Sequence, residues 1–262
     1  MTTTDQFLFA LQAYQEIQTE LHQEEGSPKT NDKSLKNEKA EDQKIPLSPG
    51  SLVLGLAEDG LPLMLDLYDP TPGPLLVAGD GASGKTGLLK SLAKASDNQN
   101  PGEIQFGVIT PFPEEWIEQE AMPNCLGIWP AYHPATKDFL SQVTRWTEAL
   151  PRSHQVVLLL VDGLDLLTSG DFQIQHELRW LLKYGPERHV WPVVTINPGR
   201  LVNLETWLNY FQTRILGQVK RPQTSRLLVN DSKIDLAELE GGKDFGLSQP
   251  DGWLKFRIPP IE

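Results

Sequence analysis

The chain is poor in cysteine, in basic residues and in long apolar runs. Its one cysteine, Cys125, excludes an intramolecular disulfide and a cysteine-rich zinc site, and fits a reducing cytosol. No apolar run approaches the length that spans a bilayer. Met1-Thr2-Thr3-Thr4-Asp5 lacks the basic start of a signal peptide. The expectation is therefore a cytoplasmic chain with no transmembrane segment. No internal repeat is visible. Lys and Arg total 23 against 35 Asp and Glu, for a net charge of −12. Residues 1–50 hold 9 acids and 5 bases, so most of the acidity lies beyond them. A surface given over to nucleic acid would be basic, so any contact with DNA or RNA is expected through a local patch.

What is present suffices for one large domain plus an extension: 262 residues, 39% of them hydrophobic. Phe7, Leu8, Leu11, Tyr14, Ile17 and Leu21 recur at helical spacing, which predicts an amphipathic helix within 1–25. Residues 26–50 turn polar and mixed in charge, the composition of a flexible linker. The folded part is expected over 51–262. It opens with strands Val53–Leu56 and Leu63–Leu67 around the turn Glu58-Asp59-Gly60. Strands at 75–78, 104–110, 156–161, 190–196 and 214–219 then alternate with helices at 84–95, 136–149, 172–184 and 204–210. A Pro/Trp-rich region, 111–134, reads as neither. That alternation predicts an α/β fold, a mostly parallel sheet with helices on both faces. The apolar run 156–161 suits the middle of such a sheet.

The most informative stretch is Gly79-Asp80-Gly81-Ala82-Ser83-Gly84-Lys85-Thr86. It fits the phosphate-binding loop pattern, a glycine, four residues, then Gly-Lys-Ser/Thr. Glycines let successive N–H groups point inward at a phosphate. Lys85 supplies a cation for the β- and γ-phosphates, and the Thr86 hydroxyl a ligand for Mg²⁺. The flanks are the required ones, a buried strand before and a helix after, whose N-terminus favours anions. A glycine-rich turn that binds nothing is the alternative.

Such a loop needs a second acid for the metal, at the end of a buried strand. Asp162 stands there, directly after Val156–Val161; capping a turn is its structural alternative. ATPases of this architecture usually place a glutamate next, to activate water. Here that position is Gly163, which has no side chain to act as a base. Asp165, three residues past Asp162, is the candidate for that role, and a turn cap or ion pair is its alternative.

These residues resemble the FtsK/SpoIIIE family of ring-forming motor ATPases over roughly 51–260. Leu61–Leu67 and Pro74–Gly79 look like that family's strand ending in Asp-Leu and its "Leu-Leu-(Val/Ile)-Ala-Gly" strand. Val193–Pro198 is similar to its "Leu-Ala-Thr-Gln-Arg-Pro" strand. Arg214–Val219 with Ser225–Leu228, and Gly241–Gly246, resemble its closing segments. The resemblance implies a three-layer RecA-like P-loop NTPase fold, ATP and Mg²⁺ as cofactors, and assembly with itself or a larger relative. Double-stranded DNA is the implied polymer. The departures fall on catalytic positions: Gly163 for glutamate, Ile196 for the γ-phosphate-sensing glutamine, Asn197 and Gly185 for arginines. The spacing of Asp162 and Asp165 is closer to the degenerate domains of type VII secretion motors (EccC/EssC-like), which move polypeptide.

Three readings stay open: a DNA translocase-type motor ATPase with degenerate catalytic positions, a nucleotide-binding regulatory module with little turnover, and a secretion-type domain acting on polypeptide. Arg214 or Arg226 could reach a neighbouring subunit's phosphates, or make surface ion pairs. Trp116, Trp129, Trp191 and Trp207 could line a peptide groove, or simply pack.

Overall fold

The computed structural model describes residues 50–149, 155–168, 171–200, 205–229, 234–249 and 252–258. All belong to one compact unit, Leu47–Glu262. The amphipathic helix expected at 1–25 and, apart from Gly50, the linker at 26–50 lie outside the described residues.

In chain order the elements are β1 (Ser51–Ala57), β2 (Pro62–Asp66), β3 (Leu75–Ala78), α1 (Lys85–Asp97), β4 (Ile104–Thr110), α2 (Ile117–Glu120), β5 (Cys125–Pro130), α3 (Pro134–Glu148), β6 (Val156–Val161), α4 (Leu164–Thr168), α5 (Phe172–Tyr184), β7 (Val190–Ile196), α6 (Glu205–Leu208), β8 (Thr213–Leu216), α7 (Pro222–Leu228), β9 (Asp244–Gln249) and β10 (Gly252–Arg257). The strands form one sheet in the order β2-β1-β10-β9-β8-β3-β7-β6-β4-β5. From β8 to β5 every pairing is parallel. From β8 to β2 every pairing is antiparallel.

Alternation along the central strands builds the layers. Leu76, Ala78, Val157, Leu159 and Val161 pack with α3, α4 and α5 through Phe139, Leu140, Leu164, Leu178 and Leu181. Their neighbours Leu75, Val77, Val156, Leu158 and Leu160 pack the other way, against Leu88, Leu89 and Leu92 of α1. Both faces of these strands are dry, which is why they read as continuous apolar runs rather than alternating ones. Each fully buried leucine contributes about 1.5–3 kcal/mol, so a polar replacement in β6 would be felt on either face.

Three corrections follow. The Pro/Trp-rich region contains the terminal strand β5. Trp116, Trp191 and Trp207 are 0%, 0% and 3% exposed and pack in the core, so they line no peptide groove. Trp191 also donates its indole N–H to the Leu67 carbonyl at 2.8 Å, fastening β7 to the end of β2. The last parallel strand ends at Leu216, not 219, and α7 follows it.

The β9–β10 hairpin begins on the nearly buried Asp244, which accepts from Arg257 Nε at 2.9 Å and lies 3.4 Å from Lys255 Nζ. Burial alone would push its carboxyl up. The Arg257 guanidinium, the Glu240 N–H and the Lys255 ammonium outweigh burial and hold it below the usual carboxylate range. A group with a lowered folded pKa stabilises the fold above its unfolded pKa, and that stabilisation is lost as pH falls through the folded one. Asp244→Asn should cost about 1–2 kcal/mol at neutral pH. It should also flatten the acid limb of the stability curve. Urea denaturation across the acid range reads both, and an unchanged acid limb would contradict the assignment.

Candidate functional site

The loop expected to cradle phosphate joins β3 to α1. Its glycines are used as the pattern requires. Gly84 takes φ +92° as it enters α1, a conformation that strains any other residue. A Cβ there would also lie 2.7 Å from the Gly242 Cα, because the turn before β9 rests on the loop. Ala82 has positive φ as well, at 60°. The loop is anchored from the segment after β8. Asp80 N–H donates to the Gln218 carbonyl at 2.9 Å, and the Asp80 carboxylate accepts from Lys220 N–H at 2.8 Å. Ser83 is buried beneath it, and a Cβ on Gly217 would lie 3.1 Å from the Ser83 carbonyl oxygen. Gly79 and Gly81 complete the turn.

Lys85 curls back over the loop. Its ammonium donates to the carbonyls of Gly79 and Asp80, both at 2.8 Å. Partial burial lowers its pKa, while the nearby charges of Asp162 and Asp80 work against that shift. A partly buried cation over a glycine-rich loop at the start of a helix is suited to an anion with several oxygens.

Sheet order explains how the acid reaches this loop. β6 does not neighbour β3; β7 lies between them. Asp162, just past the end of β6, nonetheless accepts from the Thr86 hydroxyl at 2.9 Å. Its second carboxylate oxygen accepts from the Thr195 hydroxyl at 2.8 Å. Thr195 belongs to the intervening strand, is 1% exposed, and in turn accepts from Gly163 N–H at 2.8 Å. Sequence reasoning missed Thr195 as a site residue. A threonine near the end of an apolar strand looks like any β-branched strand residue.

Thr86 and Asp162 present a hydroxyl and a carboxylate oxygen side by side. Hard oxygen donors in small number, leaving room for phosphate oxygens and water, fit Mg²⁺. Among the described residues no group of three or more His, Cys, Asp or Glu forms a self-sufficient metal cage.

The remaining candidates lie elsewhere or are engaged. Asp165, on the first turn of α4, is in an ion pair with Arg200, which follows β7. Gly163 has φ +102°, and a Cβ on it would lie 3.2 Å from Leu166 Cδ1. Ile196, where the resemblance expects a glutamine, is buried in the core. Arg214 is half-buried on β8, with a lowered pKa from burial, and donates to the Leu228 carbonyl at 3.4 Å. Arg226 is exposed on α7. Neither arginine makes an ion pair among the described residues.

No protein-family model matches the chain, and no curated protein matches it. Solved structures do. Thermomonospora curvata EccC (ATPases 2 and 3), in complex with a signal sequence peptide, superposes with TM-score 0.67 at 15% identity, covering 82% of this chain and 41% of that one. The cytoplasmic domain of EssC gives TM-score 0.67 at 18% identity, covering 84% and 46%. The pCW3 conjugation coupling protein TcpA, in monomer form with ATPγS, gives 0.63 at 16%, covering 83% and 68%. The chain thus spans less than half the length of the EccC and EssC structures. At such identities the likeness is one of fold, and it is the RecA-like P-loop NTPase fold that the sequence led us to expect. No helix among the described residues is long and apolar enough to cross a membrane.

If Thr195 holds Asp162, Thr195→Val should leave a part-buried carboxylate oxygen and the Gly163 N–H without their partner, at a cost of about 1–2 kcal/mol. Thr195→Ser should restore most of that. Chemical denaturation of the two variants checks it, and equal losses would point to packing rather than the hydrogen bonds.

Proposed function

We propose that the chain is a nucleotide-binding domain of the motor-ATPase type, built to hold Mg·ATP and poorly equipped to hydrolyse it. One observation carries this reading. The phosphate loop, Lys85 and the Thr86–Asp162 pair are assembled, while the residue after Asp162 is a glycine whose backbone has turned to φ +102°. A glutamate cannot stand there without a strained backbone, at about 1–3 kcal/mol.

In this reading the amides of Gly81, Ala82, Gly84 and Lys85 and the Lys85 ammonium bind phosphate oxygens, while the Ser83 N–H donates to the Asp80 carbonyl. The Thr86 hydroxyl and the Asp162 carboxylate hold the metal, which when bound supplies charge neutralisation of the phosphates. Thr195 keeps the carboxylate aimed. Asp165 is the acid left to activate water, but its carboxylate is engaged by Arg200. Binding is therefore secure in the design, and turnover is slow or absent.

We also propose assembly with copies of itself or with a larger relative, which the sequence resemblance to ring-forming motors implies. As the polymer such an assembly would handle, we favour polypeptide over double-stranded DNA. The net charge of −12 lacks the cationic excess that a phosphate backbone demands. The EccC structure of the same fold was solved with a signal sequence peptide.

Four outcomes test the reading. Lys85→Ala should weaken Mg·ATP binding about 100-fold by calorimetry while leaving the unfolding midpoint of the free protein in place. Affinity that survives the substitution would sink the assignment. In wild type, binding should take up protons in alkaline buffer, because bound phosphate raises the lysine pKa that burial had lowered. Calorimetry in buffers of differing ionisation enthalpy reads the sign. Hydrolysis, assayed alone, with double-stranded DNA and with polypeptide, should be slow throughout. Gly163→Glu should lose about 1–3 kcal/mol of stability without gaining turnover. Brisk hydrolysis by wild type would overturn the low-turnover reading and leave nucleotide binding intact.

A further inference from the structure

A second cavity lies at the other end of the sheet, between α3 and the border strands. Its volume is about 380 Å³, within the range of small-molecule sites. Gln105, Gln155, Leu126 and Val157 line it from the starts of β4, β6 and β5. Asp162 and the phosphate loop sit at strand ends, so the two sites are separate.

The walls have a definite chemistry. Trp129 and Phe139 stack with ring centroids 3.5 Å apart and planes 9° from parallel. The stack exists because the sheet beneath has no side chains in its way. A Cβ on Gly107 would meet Phe139 and lie 3.1 Å from the Trp129 ring, and one on Gly127 would lie 2.8 Å from that ring. Trp146 adds a third ring, half-buried, from the same helix as Phe139. Around these rings stand three glutamines, Gln105, Gln142 and Gln155, with Gln155 Nε2 donating to Gln105 Oε1 at 3.4 Å. None of the described lining residues is charged.

This composition selects a ligand class. Aromatic rings in the wall favour a flat π system. A carboxamide presents a donor and an acceptor together, which match the paired donor and acceptor on the edge of a nucleobase. The lack of a cation among the described lining residues disfavours a phosphate-bearing ligand. We propose that this groove is a binding site for an uncharged heteroaromatic base, taken as the free base or nucleoside, independent of the phosphate loop. The assignment does not rest on the nucleotide-binding reading of the loop.

Equilibrium dialysis of the full chain against labelled adenosine, guanosine, cytidine and uridine tests it. At least one should bind saturably with one site per chain. Gln142→Ala, an exposed substitution, and Trp146→Ala should each weaken that nucleoside about tenfold. Lys85→Ala should leave it unchanged. In the Lys85→Ala background the matching 5′-monophosphate should bind more weakly than the nucleoside. Circular dichroism of Gln142→Ala guards against misreading a folding defect, and Trp146→Phe, which keeps a ring, should recover most of the affinity. The proposal is overturned if no nucleoside binds saturably, if binding is lost in Lys85→Ala but kept in Gln142→Ala and Trp146→Ala, if the monophosphate binds as tightly as the nucleoside, or if N-acetyltryptophanamide binds where no nucleoside does.

Discussion

The site depends on one carboxylate accepting from two hydroxyls. Asp162 ends β6, Thr86 opens α1, and Thr195 lies on β7, which keeps the other two apart. Without Thr195 the acid would hang at the edge of the sheet, able to turn to solvent. With it, both carboxylate oxygens are committed to directions within the site, and Gly163 is fixed through the same hydroxyl. The sheet order therefore does chemical work. Inserting β7 between the loop strand and the acid strand separates Thr86 and Asp162 at the strand ends, and it supplies the side chain that spans the gap.

A second constraint is the close approach of backbone to backbone around the loop. Gly84 and Gly242 nearly touch, Gly217 backs onto Ser83, and Asp80 is tied to Gln218 and Lys220. The antiparallel half of the sheet is thereby joined to the phosphate loop. The ion pairs of Asp244 hold the base of the β9–β10 hairpin, and the hairpin's leading turn rests against the loop. Charge at the hairpin and shape at the loop are two ends of one packing arrangement.

Much of this was legible in the residues. The central strands show as apolar runs because both faces are buried, and the octapeptide has a spacing that few other structures need. The border strand β5 was not legible. It carries Gly127 and Pro130, lies half-exposed, and follows a segment dense in proline and tryptophan, so no period stands out. Helix α3 starts at Pro134, two residues before the expected 136, because His133 accepts the Ala135 N–H and Pro134 fits a first helical turn. The roles of Thr195 and Arg200 arise only when strands β6 and β7 are set side by side, which no local pattern encodes.

The chain enters the sheet on β1 and leaves it from β10, and these two strands pair, Leu56 with Arg257 and Ala57 with Phe256. Whatever precedes and follows is therefore moored at one margin. The aromatic groove lies at the opposite margin, eight strand spacings from β1, roughly 38 Å measured along the sheet. The described domain thus has one margin at which its chain enters and leaves the sheet, and an opposite margin, at β5, remote from both.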